Sequence, residues 1–181
     1  MHSPTPVDRL YDESASVIRA LGLSEPSLAV AAGDSFRKAL VLAAASHFEH
    51  RVSSCVLEFI QERANGSGLV VAFVKNKAVS RQYHTWFKWD DTNANQFFGL
   101  FGSEFKQMMG ERIKASEELK SSIRAFLEIG NERNKLVHQD FASFSLEKTL
   151  DEIYALYRQS LPFVESLGAH LRECQPPSPA L

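Results

Sequence analysis

The chain has 181 residues, 44% of them hydrophobic and 23% charged, with a formal net charge of −2. That length suits one domain with a full core, and that charge excludes a generally basic, histone-like binder while leaving room for a local basic site. The two cysteines, Cys55 and Cys174, fit no disulfide framework or metal motif and suit a reducing cytoplasm.

Nothing in the sequence spans a membrane. The most apolar run, Ala39 to Ser46, falls far short of the roughly 20 residues a spanning helix needs. At the start of the chain, Asp8, Arg9, Asp12 and Glu13 interrupt any signal-peptide core.

The pattern predicts helices almost throughout. Val7 to Leu21 is a first helix with apolar points at Leu10, Ala15, Val17, Ile18 and Leu21, ended by Gly22 and Pro26. A connection to Gly33 follows. A second helix runs from about Ser35 to Ala64, with Asp34 as its N-cap and Asn65-Gly66 as its stop. It carries two apolar stripes, one through Phe36, Leu40, Ala44, Phe48, Cys55 and Phe59, the other through Val41, Ala45, Val52, Val56 and Ile60. Two stripes make a wide buried face and place this helix at the centre of a bundle.

Leu69 to Val79 reads as a short helix or a strand, because its β-branched content and its helical surroundings pull in opposite directions. Ser80 to Thr92 reads as a loop, and Asn93–Gly102 and Ser103–Gly110 as short Phe-rich helices whose rings belong to the core. A third long helix is predicted from about Glu111 to His138. A fourth starts near Ser145, continues to about Arg172, and is kinked by Pro162. Residues 1–174 are thus expected to form one helical domain, with 175–181 a disordered tail.

Three features carry chemistry. The first is Asn131-Glu132-Arg133-Asn134-Lys135-Leu136-Val137-His138 at the end of the third long helix. Arg133 lies on the line of Phe126, Ile129 and Val137, where an unpaired guanidinium is costly. Asn134 and His138 are four apart and share a face. An arginine can hold a phosphate and a histidine can move a proton at neutral pH. The second is Glu49, set in the stripe Val41, Ala45, Val52 and Val56 and therefore expected to be buried and paired, with Arg133 or His138 as partner. His47 and His50 flank it, without the further ligand that a metal site would require. A purely structural Glu49–Arg133 pair is the alternative reading. The third is a stretch from Arg63 to Trp89 with no acidic residue, in which Lys75, Lys77, Arg81 and Lys88 interleave with aromatic residues including Trp86. Cations that hold phosphates beside rings that stack on bases are the means by which single-stranded RNA is gripped. The alternative is a solvated loop whose rings dock on the helices.

Glu132 to His138 resembles the R-x(4–6)-H signature of HEPN domains, and Ala45-Ser46-His47-Phe48-Glu49 resembles the corresponding helix of the RiboL-PSP-HEPN branch. The likeness spans roughly Ser35 to Leu171. It implies an all-α, antiparallel HEPN-type bundle of about four long helices plus short extra ones, paired into a homodimer with one motif from each subunit in a shared cleft. It implies a metal-independent endoribonuclease without cofactors, acting as a toxin or phage-defence effector, with an antitoxin or defence-system protein as a further partner. Arg133, Asn134 and His138 would be catalytic, Glu49 and His47 supporting, and Lys75, Lys77, Arg81, Lys88, Trp86 and Lys135 would bind RNA. A non-catalytic HEPN module that binds RNA or a partner protein is the alternative. In one HEPN subgroup a tyrosine two residues beyond the histidine is the modified residue. Asp140 stands there in this chain, so that regulation is not implied.

Overall fold

The structure, a computed structural model, describes residues 4–174, and the predicted tail at 175–181 lies outside them. The described residues contain helices and no strand. In chain order these are α1 (Pro6–Ser24), α2 (Pro26–Arg63), α3 (Gly68–Val74) continuing into a π-helical turn (Lys75–Val79), α4 (Tyr83–Trp86), α5 (Asn95–Gly99), α6 (Ser103–Ala115), α7 (Glu117–His138) and α8 (Leu150–Glu173). The four long helices α1, α2, α7 and α8 pack together, with α2 lying against each of the other three.

α1 begins with a capping box. The Thr5 hydroxyl accepts from Asp8 N–H, and the Asp8 carboxylate accepts from Thr5 N–H at 2.7 Å. The expected connection from Gly22 to Gly33 does not exist. The chain breaks only at Glu25, and Pro26, whose fixed φ suits a first helical position, starts a 38-residue α2. Asp34 is therefore no cap. Its carboxylate reaches one turn along to Arg37 and Lys38 instead. The predicted stop holds, since α2 ends at Arg63 and Asn65 and Gly66 both take positive φ. Of the two apolar stripes, Leu40, Val41, Ala44, Phe48, Val52 and Val56 are buried.

The ambiguous segment at 69–79 is helical. Its β-branched residues pair with no strand, and α3 leaves Leu69 and Phe73 exposed. The predicted loop at 80–92 contains the single turn α4. The predicted Glu111–His138 helix is two helices. Ser116 takes an extended conformation, ends α6, and caps α7 by accepting from Leu119 N–H at 3.1 Å. Phe97, Phe98 and Phe105 are buried, as expected of core residues.

α8 starts four residues later than predicted. Thr149, not Ser145, is the N-cap, in a capping box with Glu152. Pro162 lies inside α8 and brings no backbone donor. Beyond it, Phe163 N–H donates 2.8 Å across the seam to the Ser122 hydroxyl of α7, which itself donates to the Ser160 carbonyl at 3.1 Å. Ser122 and Ser160 are fully buried, so one hydroxyl satisfies backbone groups on both sides of the proline.

Candidate active site

α2 and α7 lie side by side, and the 83–89 segment closes the gap between them. A cavity of about 240 Å³ forms there, lined by Leu42, Ala45, Ser46, Phe48 and Glu49 of α2, by Phe126, Gly130, Arg133, Asn134 and Val137 of α7, and by Tyr83, His84 and Trp89. Glu49 and the Arg133–Asn134 pair, which the sequence suggested as neighbours, thus border one space.

Two residues absent from the predicted site shape it. Trp89 packs its six-membered ring edge over Gly130, where a Cβ would overlap the indole. A residue larger than glycine there would push the ring out of place. The indole N–H donates to the His84 carbonyl at 3.0 Å, and the ring leans on Phe87 and Phe126 with centroids 5.0 and 5.8 Å away. Tyr83 is buried and makes aromatic contacts with Trp86, Phe87 and Trp89. Burial pushes its hydroxyl well above the ordinary tyrosine range, with the Glu49 carboxylate adding to that effect and Arg133 opposing it. A glycine inside a helix facing a tryptophan-rich segment was the available signal for this wall.

Arg133 is half-buried and donates from Nη1 to Asn134 Oδ1 at 3.2 Å. Asn134 thereby holds its neighbour's guanidinium at the cavity wall. Glu49 corrects the expectation. It is exposed, and no ion pair joins it to Arg133. The turn of α2 buries Phe48 and Val52 and leaves the intervening Glu49 at the cavity rim, so the predicted buried pair is not formed. Neither the Glu49 carboxylate nor the Tyr83 hydroxyl has a hydrogen-bond or ion-pair partner among the described residues.

His47 is not brought to the cavity. It points toward α8, where its Nδ1 lies 3.1 Å from the Tyr157 hydroxyl, which also donates to Thr5 Oγ1 at 2.8 Å. Burial, then Arg51 and His50, hold its pKa below the usual histidine range. Trp86 is also corrected. It is 5% exposed and donates its indole N–H to the Ala78 carbonyl, so it serves packing and is closed to an RNA base. Lys75, Lys77, Arg81 and Lys88 are exposed, and none of them lines the cavity. Lys135 is exposed too and pairs with Glu132 at 2.9 Å.

His138 is the last residue of α7, exposed, one turn beyond Asn134. The chain leaving it is firmly held. Gln139 N–H returns to the Lys135 carbonyl, and the Asp140 carboxylate accepts from Ala142 N–H and from the Ser143 hydroxyl. Lys38 anchors the turn. It is 4% exposed and donates to the Phe141 carbonyl at 3.0 Å, lying 2.8 Å from Asp34 and 5.3 Å from the Phe141 ring centre. A lysine next to an aspartate on one helix face reads in sequence as a surface pair, which hid this role.

The model of one protein family, RiboL-PSP-HEPN, matches residues 12–173, which takes in α2, α7 and α8 whole, the larger part of α1, and the entire cavity. The chain belongs to the RiboL-PSP-HEPN family. No curated protein and no solved structure matches it. The all-α bundle is the fold that the resemblance implied. In this HEPN chain Arg133 and His138 stand on the terminal turns of α7, with the arginine on the cavity and the histidine beyond its rim. No helix is long and apolar enough to cross a membrane among the described residues.

Proposed function

We propose that this HEPN chain is an endoribonuclease that cleaves RNA through the 2′-hydroxyl and requires no metal ion. The observation that carries the reading is the last two turns of α7. They hold an arginine steered by its neighbouring amide at a cavity wall, followed one turn on by an exposed histidine whose backbone exit is pinned.

The chemistry follows from those groups. His138 takes the proton from the 2′-hydroxyl, and the 2′-oxygen bonds to the adjacent phosphorus. Charge grows on the non-bridging oxygens, where the Arg133 guanidinium donates to them. The bond from phosphorus to the 5′-oxygen then breaks, and that oxygen takes a proton from the imidazolium of His138 of the partner subunit. The products are a 2′,3′-cyclic phosphate and a 5′-hydroxyl. Proton transfer of this kind contributes about 10²- to 10⁴-fold.

A homodimer supplies the second histidine. Val137 and Phe141, which flank His138, are 52% and 49% exposed, and apolar side chains at that spot suit a second copy of the chain. A role as a toxin or defence effector, with a neutralising partner protein, is the biological setting in which such an activity is useful. The test is incubation of wild type and His138→Ala with total RNA in EDTA. Wild type is expected to cleave and the variant to leave the RNA intact with an unchanged melt. Equal cleavage by both overturns the proposal. RNA binding without cleavage by wild type favours instead the module that binds and does not cut, for which the exposed Lys75, Lys77, Arg81 and Lys88 are the candidate contacts.

A further inference from the structure

We infer that the cavity beside Arg133 is a base-reading pocket selective for guanine, so that the chain recognises a guanine next to the phosphate it cleaves. This inference takes its substrate from the ribonuclease reading, and its test separates the two.

At about 240 Å³ the cavity is smaller than the roughly 300 Å³ at which sites for drug-sized ligands begin. It takes one planar group, not two stacked ones. Leu42, Phe126, Val137 and the Trp89 ring give it apolar walls. An indole held by a hydrogen bond at one edge and by Gly130 at another is a fixed stacking surface. Bases pulled out of a stack are held in this way, between apolar or aromatic walls with polar groups at their pairing edge.

The polar groups then decide which base. Glu49 stands at the rim with no partner of its own, and a carboxylate accepts hydrogen bonds with two oxygens side by side. Guanine is the base whose pairing edge presents two adjacent donors, N1–H and the N2 amino group. Adenine and cytosine offer one amino group beside an acceptor, and uracil offers one N–H between two acceptors. The Tyr83 hydroxyl, also without a partner, carries its proton at neutral pH as any tyrosine does, and it donates to the guanine O6. Placement agrees with this assignment. Arg133 and Asn134 line the same cavity, and His138 is one turn farther along α7, so a base in the pocket puts its own phosphate at the arginine.

The test is binding of GMP, AMP, CMP and UMP to wild type and to Glu49→Gln, followed by calorimetry and by tryptophan fluorescence. A bidentate pair discriminates by about fivefold to a hundredfold, so GMP is expected to bind wild type at least about fivefold more tightly than the other three. Glu49→Gln, a change at an exposed position that keeps one acceptor and leaves Tyr83 in place, is expected to shrink that preference. Equal binding of all four to wild type, no measurable binding of GMP, or a preference undiminished in Glu49→Gln overturns the inference. Cleavage sites mapped on a mixed-sequence RNA complete it. Cutting without regard to guanine removes the pocket assignment and leaves the ribonuclease. Guanine-selective binding with no cyclic-phosphate product removes the ribonuclease and leaves the pocket.

Discussion

Replacing Lys38 with methionine tests how the end of α7 is held. The substitution keeps the length of the side chain and removes the ammonium group. The Lys38 side chain is 4% exposed, and its ammonium donates to the Phe141 carbonyl at 3.0 Å, a charge-assisted bond worth about 1.5–3 kcal/mol. Its pairing with Asp34 adds about 0–1 kcal/mol, because the Asp34 side chain is 37% exposed and water screens the pair. Methionine returns about 1 kcal/mol through the apolar surface it buries and the ammonium it relieves of desolvation. The net loss is about 2 kcal/mol, or about 4–8 °C in Tm for a chain of this length. Urea unfolding followed by far-ultraviolet circular dichroism measures the loss, and hydrogen exchange locates it. Amides of 139–146 are expected to exchange faster while those of 123–130 in the core of α7 hold. A loss below about 0.5 kcal/mol, the range of ordinary surface changes, refutes the anchoring role. So does an acceleration spread evenly over the chain.

Ser122→Ala leaves Phe163 N–H without its acceptor and is expected to cost about 1–3 kcal/mol in urea unfolding. The cost is expected to shrink in a Pro162→Ala background, and an equal cost in both backgrounds contradicts the bridging account. Gly130→Ala is expected to drive the Trp89 ring off α7, with a red shift in emission and about 1–3 kcal/mol of overpacking, partly offset by the better helix propensity of alanine. An unshifted emission spectrum refutes that packing. Acid is expected to destabilise the chain in two stages. His47 and His170 have lowered pKa values, chiefly from burial, so the stability they bring is complete above about pH 6.5 and is lost as pH falls from there through the lowered values. Asp8 and Asp34 are also lowered. For Asp8, burial opposes the shift and the Thr5 N–H and the Tyr154 hydroxyl outweigh it; for Asp34, the bond from Lys38 is the main cause. Their contribution is lost below about pH 4. Stability that rises from about pH 7 to pH 5 contradicts the histidine part.

The long helices were legible because their apolar spacing is regular and because Asn65-Gly66 and Pro162 mark definite backbone events. Helix ends were less legible where two caps compete. Asp34 and Ser145 are good caps by residue type, yet Pro26 and the Thr149–Glu152 box lie where tertiary packing starts each helix. Ser116 was hidden because its neighbours on both sides continue a helical pattern. In the site, Arg133 and Asn134 were readable as polar residues on an apolar face. The exposure of Glu49 was not, since one residue's rotation about α2 separates the core from the cavity rim. Trp86 and Trp89 look alike in sequence. Only the packing gives one to the core and the other to the cavity wall.

In the proposed reaction the RNA supplies its own nucleophile and His138 moves the proton. The most direct measurement uses an oligoribonucleotide cut at one mapped site, with mass spectrometry of both new ends in the presence of EDTA. Wild type is expected to leave a 2′,3′-cyclic phosphate and a 5′-hydroxyl, with no cleavage when the nucleotide before the cut carries 2′-deoxyribose or in His138→Ala. Cleavage that persists at the 2′-deoxy position, or that leaves a 5′-phosphate, would contradict it.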